Sequence, residues 1–230
     1  MIKAVFFDID NTLYSYDQAH AAAMEKLVKF GEVEFSLAPK RLRRLLDETQ
    51  QKIIDRLGTN CAAIHNRLIR FQCFLEALQY PDLTKAAQMD QIYETAFLDA
   101  MVMEPDLPVL LSELRKSQVR IGIGTDQNAH AQYRKLERLG ILTYFSRIVT
   151  SEEAGAEKPD EKFFRLCVEK AGCRPEECVF IGDNIKKDVE GARWNGLRGI
   201  WYHPGEKEEE QREYPVIHSY AEGLRKILSL

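Results

Sequence analysis

Two patterns of hydrophobic and polar positions divide the chain. A short apolar run rich in Val and Phe predicts a strand from Lys3 to Phe7 that is buried on both faces. From about Asp17 to about Met101, apolar residues instead recur at intervals of three and four, and the only glycines there are Gly31 and Gly58. This spacing is typical of amphipathic helices, and it predicts about four or five of them in succession.

Strand and helix patterns alternate through the rest of the chain. Predicted strands cover residues 119–124, 147–150, 178–181 and 198–202, and predicted helices cover residues 107–117, 129–139, 160–171, 189–194 and 220–228. This alternation predicts an α/β fold, with a Rossmann-like parallel sheet and helices on both of its faces.

We therefore predict two domains. Residues 1–15 and 102–230 form a core around the sheet, and residues 16–101 form an inserted, all-helical cap. The insertion is expected over the carboxyl ends of the strands, where open α/β sheets bind ligands. The charged segment from Glu206 to Glu213 is expected to be a solvated loop or helix face.

Composition narrows the range of partners. The 230 residues are 45% hydrophobic and 30% charged, with a formal net charge of −4 and a pI near 5.8, so we expect a globular protein that does not bind nucleic acids or anionic membranes. No apolar run approaches the length of a membrane span, and five cysteines without a CxxC pair indicate reduced thiols and no zinc site. A soluble, cytoplasmic protein is expected. Monomer and homodimer both remain open.

Two carboxylates follow the first predicted strand. Asp8 and Asp10 are two positions apart, so in an extended chain they would project to the same side and repel each other. A divalent cation would offset this repulsion, and carboxylate oxygens favour Mg²⁺. Taken alone, however, Asp-Ile-Asp-Asn-Thr is more typical of a turn or helix cap at the end of a strand.

Polar residues also follow the later strands. They comprise a hydroxyl, an ammonium and two carboxylates, on Thr125, Lys158, Asp183 and Asp188. Because the carboxyl ends of parallel strands meet at one edge of a sheet, we expect these groups in one pocket with Asp8 and Asp10.

The order of these residues resembles the haloacid dehalogenase-like (HAD) superfamily of hydrolases, in its subgroup with a helical cap inserted after the first strand. The four motifs correspond to Asp8-Ile-Asp-Asn-Thr-Leu13, Thr125, Lys158-Pro159, and Gly182-Asp183 with Asp188. The resemblance covers essentially the whole core, and the ordered set of four is much more specific than any one motif. The cap has no such motif and is identified by its position and helical pattern.

The resemblance implies a phosphoryl-transfer mechanism. Asp8 would be the nucleophile that forms an aspartyl-phosphate, and Asp10 would protonate the leaving alkoxide and then deprotonate water. Thr125 and Lys158 would hold the phosphoryl oxygens. The ligands of Mg²⁺ would be the Asp8 carboxylate, the backbone carbonyl of Asp10 and the Asp183 side chain.

Supporting roles are implied for three further residues. Asp188 would act behind the metal ligands or orient Lys158. Asn184, beside Asp183, is assigned to the same supporting group. Thr12 would fix Asp10 or its loop by a hydrogen bond, with an ordinary helix cap as the alternative reading of this residue.

Two positions refine the prediction. Dehalogenase members of the superfamily lack a carboxylate two residues after the nucleophile, so Asp10 favours phosphoryl transfer. Many of the phosphatases have Asn where this chain has Asp126. A negative charge there is unfavourable beside phosphate unless the side chain turns away to cap the following helix, so Asp126 is a poor candidate for a phosphate ligand.

Substrate choice is expected to lie in the cap. Arg67 and Arg70 share one helix face and could reach a polar or anionic leaving group, although a solvated face is the alternative. The stretch from His65 to Phe74 is similar to caps of pyrimidine 5′-nucleotidase-like and N-acylneuraminate-9-phosphatase-like members, which implies a nucleoside monophosphate or sugar phosphate as substrate. A phosphomutase of the same superfamily and a catalytically idle binding module are the alternative functions.

Overall fold

The computed structural model describes residues 1–205 and 213–230. Nearly all of the charged segment from Glu206 to Glu213 therefore lies outside the described residues, and its predicted loop stays a prediction. Contacts between Cα atoms divide the chain into two compact units, Met1–Ser15 with Val102–Leu230 and Tyr16–Met101. The roles of these units as catalytic core and cap remain predictions.

The helical unit contains four helices in its described residues. They are α1 (Tyr16–Phe35), α2 (Pro39–Leu57), α3 (Arg67–Ala77) and α4 (Thr84–Ala100), with a 3₁₀ turn at Ala62–His65. Their apolar faces meet in a core that includes Phe71, Phe74, Met89, Tyr93 and Phe97. Burial of such side chains stabilises the unit by about 1.5–3 kcal/mol for each large residue.

A parallel sheet forms the centre of the other unit. Its six strands in the described chain are ordered β3-β2-β1-β4-β5-β6. They are β1 (Ala4–Phe7), β2 (Arg120–Thr125), β3 (Arg147–Thr150), β4 (Cys178–Gly182), β5 (Arg198–Tyr202) and β6 (Val216–Ile217). The sheet confirms the predicted α/β fold. The hydrophobic pattern does not reveal β6, because two residues are too few to show a period.

Helices surround the sheet. They are α5 (Leu107–Lys116), α6 (Ala129–Arg138), α7 (Ser151–Ala154), α8 (Glu161–Ala171), α9 (Gly191–Trp194) and α10 (Tyr220–Leu228), with 3₁₀ turns at Leu142–Tyr144 and Pro175–Glu177. Among the described residues, every helix is too short or too polar to span a lipid bilayer. None of the five cysteines forms a disulfide in the described structure, and their reduced state stays a prediction.

Aromatic side chains fill one face of the sheet. The rings of Phe163 and Phe164 pack edge-to-face at 5.4 Å between centroids, and Phe164 meets Phe180 of β4 at 5.3 Å. A Cβ atom at Gly124 in β2 would lie 2.5 Å from the Phe180 ring. Glycine therefore serves in this strand because it lets the ring pass close to the backbone.

The strand register brings the polar segments to one edge. Phe7 at the end of β1 pairs with Ile123 of β2 and with Ile181 of β4. The backbone N–H of Asp8 continues this pairing and donates to the carbonyl of Ile181 at 2.9 Å. Asp8 thus follows β1 at the edge where β2 ends in Thr125.

A π-helical segment, Ile185–Glu190, precedes α9 and replaces the first part of the helix predicted at residues 189–194. The backbone N–H of Asp188 donates to the Asn184 carbonyl at 2.8 Å, and that of Val189 lies 3.4 Å from the same oxygen. The wider turn does not follow the 3.6-residue period, so the hydrophobic pattern misses it. Such segments are often found at functional sites.

Candidate active site

Lys158 links two carboxylates at the carboxyl edge of the sheet. Its Nζ lies 2.6 Å from Asp8 Oδ1 and 2.7 Å from Asp188 Oδ1. The three side chains are only 3%, 9% and 2% exposed, respectively. Buried charges are tolerated when they are paired, so these three residues, distant in sequence, form one electrostatic unit. Burial alone would lower the pKa of Lys158, but Asp188 and Asp8 outweigh this effect and raise it well above its ordinary value.

Asp188 is held from two sides. While Oδ1 contacts Lys158, Oδ2 accepts the backbone N–H of Asn184 at 2.9 Å. The Asn184 side chain in turn caps the π-helical segment, since its Oδ1 accepts the backbone N–H of Lys187 at 2.9 Å. Asn184 thus holds both Asp188 and the turn that carries it, which fits the predicted supporting role.

Three carboxylates form a candidate metal centre. One oxygen each from Asp8, Asp183 and Asp188 lie within 4.8 Å of one another. Burial raises the pKa of Asp183 to about 6, and the charge of Asp188 adds to this shift. Burial likewise raises the pKa of Asp8 well above its ordinary value, against the opposing charge of Lys158. In both groups burial disfavours the ionised carboxylate, and a bound cation would offset this effect, so a divalent cation with oxygen ligands fits this group.

The cluster differs from the predicted ligand set in one member. The prediction uses side chains of Asp8 and Asp183 and reserves Asp188 for a supporting role. In the described residues, Asp188 joins those two side chains and also contacts Lys158. The π-helical turn, which the sequence does not reveal, provides this position. The backbone carbonyl of Asp10 as a ligand stays a prediction.

The carboxylate of Asp10 has partners of its own. Lys135 Nζ, from α6, lies 2.6 Å from Oδ1 and 2.8 Å from Oδ2. Gln127 donates to Oδ2 at 3.1 Å, and the Tyr14 hydroxyl donates to Oδ1. Burial by itself would raise the pKa of Asp10, but the charge of Lys135, with hydrogen bonds from Lys135 and Tyr14, lowers it. Asp8 and Asp10 are thus held by different cations.

Sequence reasoning missed these partners of Asp10. One signal was present for Lys135, which lies four residues after Ala131 and three after Gln132 on the buried face of α6. A lysine on the apolar face of a helix is unusual and indicates a buried partner. Tyr14 and Gln127 carry no comparable signal, because aromatic and loop residues are common beside strands.

The Thr125 hydroxyl is oriented by α6. It accepts a hydrogen bond from Gln132 Nε2 at 2.9 Å, and the same amide group donates to the Asp126 carbonyl at 2.7 Å. Thr125 is 1% exposed at the end of β2. Helix α6 therefore fixes both this threonine and Asp10.

Asp126 is bound to the lysines of the site. Its Oδ1 accepts the backbone N–H of Lys158 at 2.9 Å, and its Oδ2 lies 2.7 Å from Lys187 Nζ. The alternative in which Asp126 caps the following helix is wrong, because the side chain of Asn128 caps α6 by accepting from Ala131 at 2.9 Å. The two lysines offset the negative charge instead.

The hydrogen bond predicted for Thr12 is absent. Within residues 1–205 and 213–230, its buried Oγ1 has no hydrogen-bond partner. The loop is held instead through the Thr12 carbonyl, which accepts from the Tyr220 hydroxyl at 2.8 Å. Tyr220 lies in α10, too far along the chain for sequence reasoning to connect it with this loop.

The two arginines of the helical unit have neighbours within that unit. Arg70 donates to the Leu46 carbonyl at 3.3 Å and to Asp47 at 3.4 Å. Arg67 lies over the Tyr93 ring at 5.0 Å, with its Nε 3.6 Å from Asp90. The buried Nε of Arg67 makes no hydrogen bond in the described structure.

Comparison with known proteins identifies the family. The model of the haloacid dehalogenase-like hydrolases matches residues 2–196. The chain belongs to the haloacid dehalogenase-like hydrolases. This membership confirms the resemblance that the four motifs indicate, and it places Asp8, Lys158 and Asp183 within the matched region of the hydrolase.

Relatives of this hydrolase include several named phosphatases. Ribulose-1,5-bisphosphate 5-phosphatase of Halopiger xanaduensis is 34% identical over 221 residues, which cover 91% of this chain and 88% of the relative. N-acylneuraminate-9-phosphatase of Rattus norvegicus is 29% identical, covering 87% and 82%, respectively. The latter confirms the similarity to N-acylneuraminate-9-phosphatase-like members.

Solved structures show the same fold. The crystal structure of 2-haloacid dehalogenase from Pseudomonas syringae pv. Tomato aligns with a TM-score of 0.79 and 28% identity, covering 100% of this chain and 99% of that protein. This HAD hydrolase therefore has relatives named for two different reactions, phosphate-ester hydrolysis and dehalogenation. Its own residues must show which of the two reactions they favour.

Proposed function

We propose that this hydrolase is a Mg²⁺-dependent phosphatase that hydrolyses a small phosphorylated metabolite through an aspartyl-phosphate on Asp8. The observation that carries the proposal is that two carboxylates close together in the sequence pair with different lysines. Asp8 contacts Lys158, whereas Asp10 contacts Lys135. Two carboxylates in different environments suit two different roles, here a nucleophile and an acid–base group.

The first chemical step forms the phosphoenzyme. An oxygen of Asp8 attacks phosphorus, the bond between phosphorus and the ester oxygen breaks, and Asp10 gives a proton to the departing oxygen. Lys158 and Thr125 stabilise the charge on the phosphoryl oxygens. A phosphate dianion near Asp10 opposes the effect of Lys135 and favours the protonated carboxyl group that this step needs.

The second step restores the enzyme. Asp10, now a carboxylate, takes a proton from water, and the water oxygen attacks phosphorus. The bond between phosphorus and the Asp8 oxygen breaks, which releases inorganic phosphate. Because Lys135 lowers the pKa of Asp10, it favours the ionised form that acts as the base in this step.

The carboxylate cluster would hold the metal. Asp8, Asp183 and the backbone carbonyl of Asp10 would be ligands, with Asp188 beside them. When bound, Mg²⁺ supplies positive charge that reduces the repulsion between Asp8 and the phosphate. Lys158 remains available to the phosphoryl group, since its pKa keeps it charged throughout the physiological range.

Dehalogenation is the competing reaction, because a structural relative carries that name. Displacement of a halide by an Asp8 oxygen requires no proton for the leaving group. Asp10, by contrast, is held by Lys135, Gln127 and Tyr14, although its side chain remains 23% exposed. An accessible, firmly positioned acid–base group supports phosphate-ester hydrolysis.

The substrate is proposed to be a sugar phosphate or related small metabolite in the cytoplasm. Two relatives are named for phosphatase activity on ribulose 1,5-bisphosphate and on an N-acylneuraminate 9-phosphate. The net charge of −4 also argues against a nucleic-acid substrate. A nucleoside monophosphate remains the alternative within the same class.

We further propose that the helical unit, residues 16–101, selects the leaving group. Arg67 supports this role because its buried Nε makes no hydrogen bond in the described structure. Arg70 is a weaker candidate, since it donates hydrogen bonds to Asp47 and the Leu46 carbonyl. Arg67 Nε, by contrast, lies 3.6 Å from Asp90 without a hydrogen bond. If the proposal is correct, Arg67→Gln raises KM for anionic sugar phosphates more than for p-nitrophenyl phosphate. An equal change in KM for both substrates would count against it.

The proposed function is tested by release of inorganic phosphate from a panel of sugar phosphates and nucleoside monophosphates. Wild type and Asp8→Asn are compared with Mg²⁺ and with EDTA, and 2-chloropropionate is included to detect halide release. Metal-dependent phosphate release that Asp8→Asn abolishes supports the proposal. Halide release alone would establish a dehalogenase. Dependence on a sugar bisphosphate primer would indicate a phosphomutase, and no turnover by folded protein would indicate a binding module.

A further inference from the structure

Lys135 is a buried cation whose location is not explained by the four motifs. Its side chain is 2% exposed, and its Nζ contacts both oxygens of the Asp10 carboxylate, at 2.6 and 2.8 Å. Burial of an ammonium group is unfavourable without a partner, and a helix position of this kind is normally apolar. A lysine at this position therefore has a specific role, and its contacts indicate that the role concerns the Asp10 carboxylate.

Two further side chains donate hydrogen bonds to this carboxylate. The Tyr14 hydroxyl donates to the oxygen nearer Lys135, Oδ1, and Gln127 Nε2 donates to Oδ2 at 3.1 Å. Tyr14 is fully buried, and its ring lies 6.0 Å from Lys135 Nζ. Contacts to both oxygens fix the rotation of the carboxylate as well as its position.

Helix α6 makes this arrangement rigid. Gln132 and Lys135 are three residues apart on one face, so their side chains project in the same direction. Gln132 holds the Thr125 hydroxyl while Lys135 holds the Asp10 carboxylate. A phosphate ligand and an acid–base group are thus oriented by adjacent turns of a single helix.

We propose that Lys135 is a positioning residue that holds the Asp10 carboxyl group in the orientation needed to protonate the leaving oxygen. This inference rests on the proposed phosphatase function. Lys135 contacts Asp10. In the proposed mechanism the phosphoryl group is bound by Lys158 and Thr125 and not by Lys135. It serves proton transfer, whereas Lys158 stabilises phosphoryl charge.

Leaving-group dependence separates this role from a general structural one. p-Nitrophenolate is a weak base that departs without protonation, whereas phenolate is a stronger base and benefits from a positioned acid. General acid catalysis contributes about 10²–10⁴-fold to a rate. Loss of the orientation of Asp10 should therefore lower kcat/KM much more for phenyl phosphate than for p-nitrophenyl phosphate.

The experiment compares Lys135→Gln with wild type on the two esters, in Mg²⁺. We expect kcat/KM to fall about 100-fold or more for phenyl phosphate and less than about 10-fold for p-nitrophenyl phosphate. Lys135→Arg, which keeps the charge, should recover part of the phenyl phosphate rate. Arg134→Gln, at the adjacent exposed position of α6, is the matched control and should leave the ratio of the two rates unchanged.

Equal losses on the two esters, or no loss, would overturn the inference. If Lys135→Gln does not fold, Tyr14→Phe tests the same carboxylate by removing one donor to Oδ1, and it should show the same bias toward phenyl phosphate. If Tyr14→Phe instead lowers kcat/KM equally for the two esters, the inference is rejected. Wild-type protein that hydrolyses neither these esters nor any member of the metabolite panel rejects the proposed function, which is a distinguishable result.

Discussion

The side chain of Asp188 occupies the space that a Cβ atom at Gly182 would need. A Cβ built on Gly182 would overlap with the carboxylate of Asp188, including Oδ2. This oxygen also accepts the backbone N–H of Asn184, and Oδ1 contacts Lys158. The glycine at the end of β4 thus allows the carboxylate to approach the backbone closely and to reach Lys158.

Substitution of Gly182 by Ala is therefore expected to displace Asp188. Overpacking of this kind costs about 1–3 kcal/mol of stability. Because Lys158 would lose its contact with Asp188, kcat should fall at least about 10-fold, a loss of about 1.4 kcal/mol in transition-state stabilisation. Thermal melting and phosphate release measure the two effects. Gly223→Ala in α10 is the control, because the nearest atoms to its added Cβ would be in the flexible Leu110 and Ile217 side chains, at 3.2 Å or more, and it should change neither property strongly.

Removal of the Asp183 charge is expected to stabilise the metal-free protein. Burial and the neighbouring Asp188 raise the folded-state pKa of Asp183 to about 6, above its ordinary value of 3.8. A raised carboxyl pKa means that stability falls as pH rises from 3.8 through about 6 and is lowest above that range. In EDTA, Asp183→Asn should therefore melt at a higher temperature than wild type at about pH 8, with a smaller difference at about pH 5.

In Mg²⁺, wild type should melt at a higher temperature than Asp183→Asn, the reverse of the order expected in EDTA. The cation binds the native carboxylate cluster, so it should raise the melting temperature of wild type in a concentration-dependent manner. Asp183→Asn should show little increase. A similar increase in both proteins would indicate that Asp183 is not a ligand. Asp55→Asn, at an exposed acid of the helical unit, should respond to Mg²⁺ like wild type.

Replacement of Asp10 by Asn should separate the two chemical steps. With p-nitrophenyl phosphate, the first step needs no protonated acid, whereas the second step still needs a base. We expect a burst of nitrophenol close to one equivalent per enzyme, followed by turnover slowed by about 10²-fold or more. Rapid-mixing absorbance measures the burst, and mass spectrometry should detect the phosphoryl group on Asp8. Slow turnover without a burst would show that Asp10 is needed already for phosphoenzyme formation with this ester.

Glu177 provides a pH-dependent contribution to stability away from the site. Hydrogen bonds from Lys3 and from the backbone of Arg174 lower its pKa to about 2. A lowered pKa means that the stabilisation is complete above the ordinary value of 4.5 and is lost as pH falls toward about 2. Glu177→Gln should thus lower the melting temperature at neutral pH, and the difference from wild type should shrink below pH 4.5.

The matched control for Glu177 is Glu25→Gln. Glu25 contacts Lys29 in an exposed pair one helical turn apart, and exposed pairs contribute little to stability. Its melting temperature should stay close to that of wild type across the same range. A pH-independent effect of Glu177→Gln would show that packing, and not charge, makes Glu177 stabilising.

The sequence by itself determined the family and the parallel sheet, and it predicted that the main candidate residues of the site converge. β1 and β4 are continuous apolar runs, and such runs identify buried parallel strands without tertiary information. Asp8 and Asp183 follow β1 and β4, Thr125 ends β2, and Lys158 lies in the segment between β3 and α8. The carboxyl ends of parallel strands share one edge of the sheet. Their convergence could therefore be predicted from the parallel direction of the strands, without knowing the strand order.

Only the tertiary structure decided which charges pair. Asp8 and Asp10 are two residues apart, yet one contacts Lys158 and the other Lys135, which lies more than a hundred residues away in the sequence. The helical spacing of α6 indicates that Lys135 lies on its buried face, but it does not name the partner. The pairing depends on the turn after β1 and on how α6 packs beside that turn, and neither follows from a sequence period. The π-helical turn that brings Asp188 to the cluster, and the Tyr220 hydroxyl that replaces the expected Thr12 bond, depend on the same long-range packing.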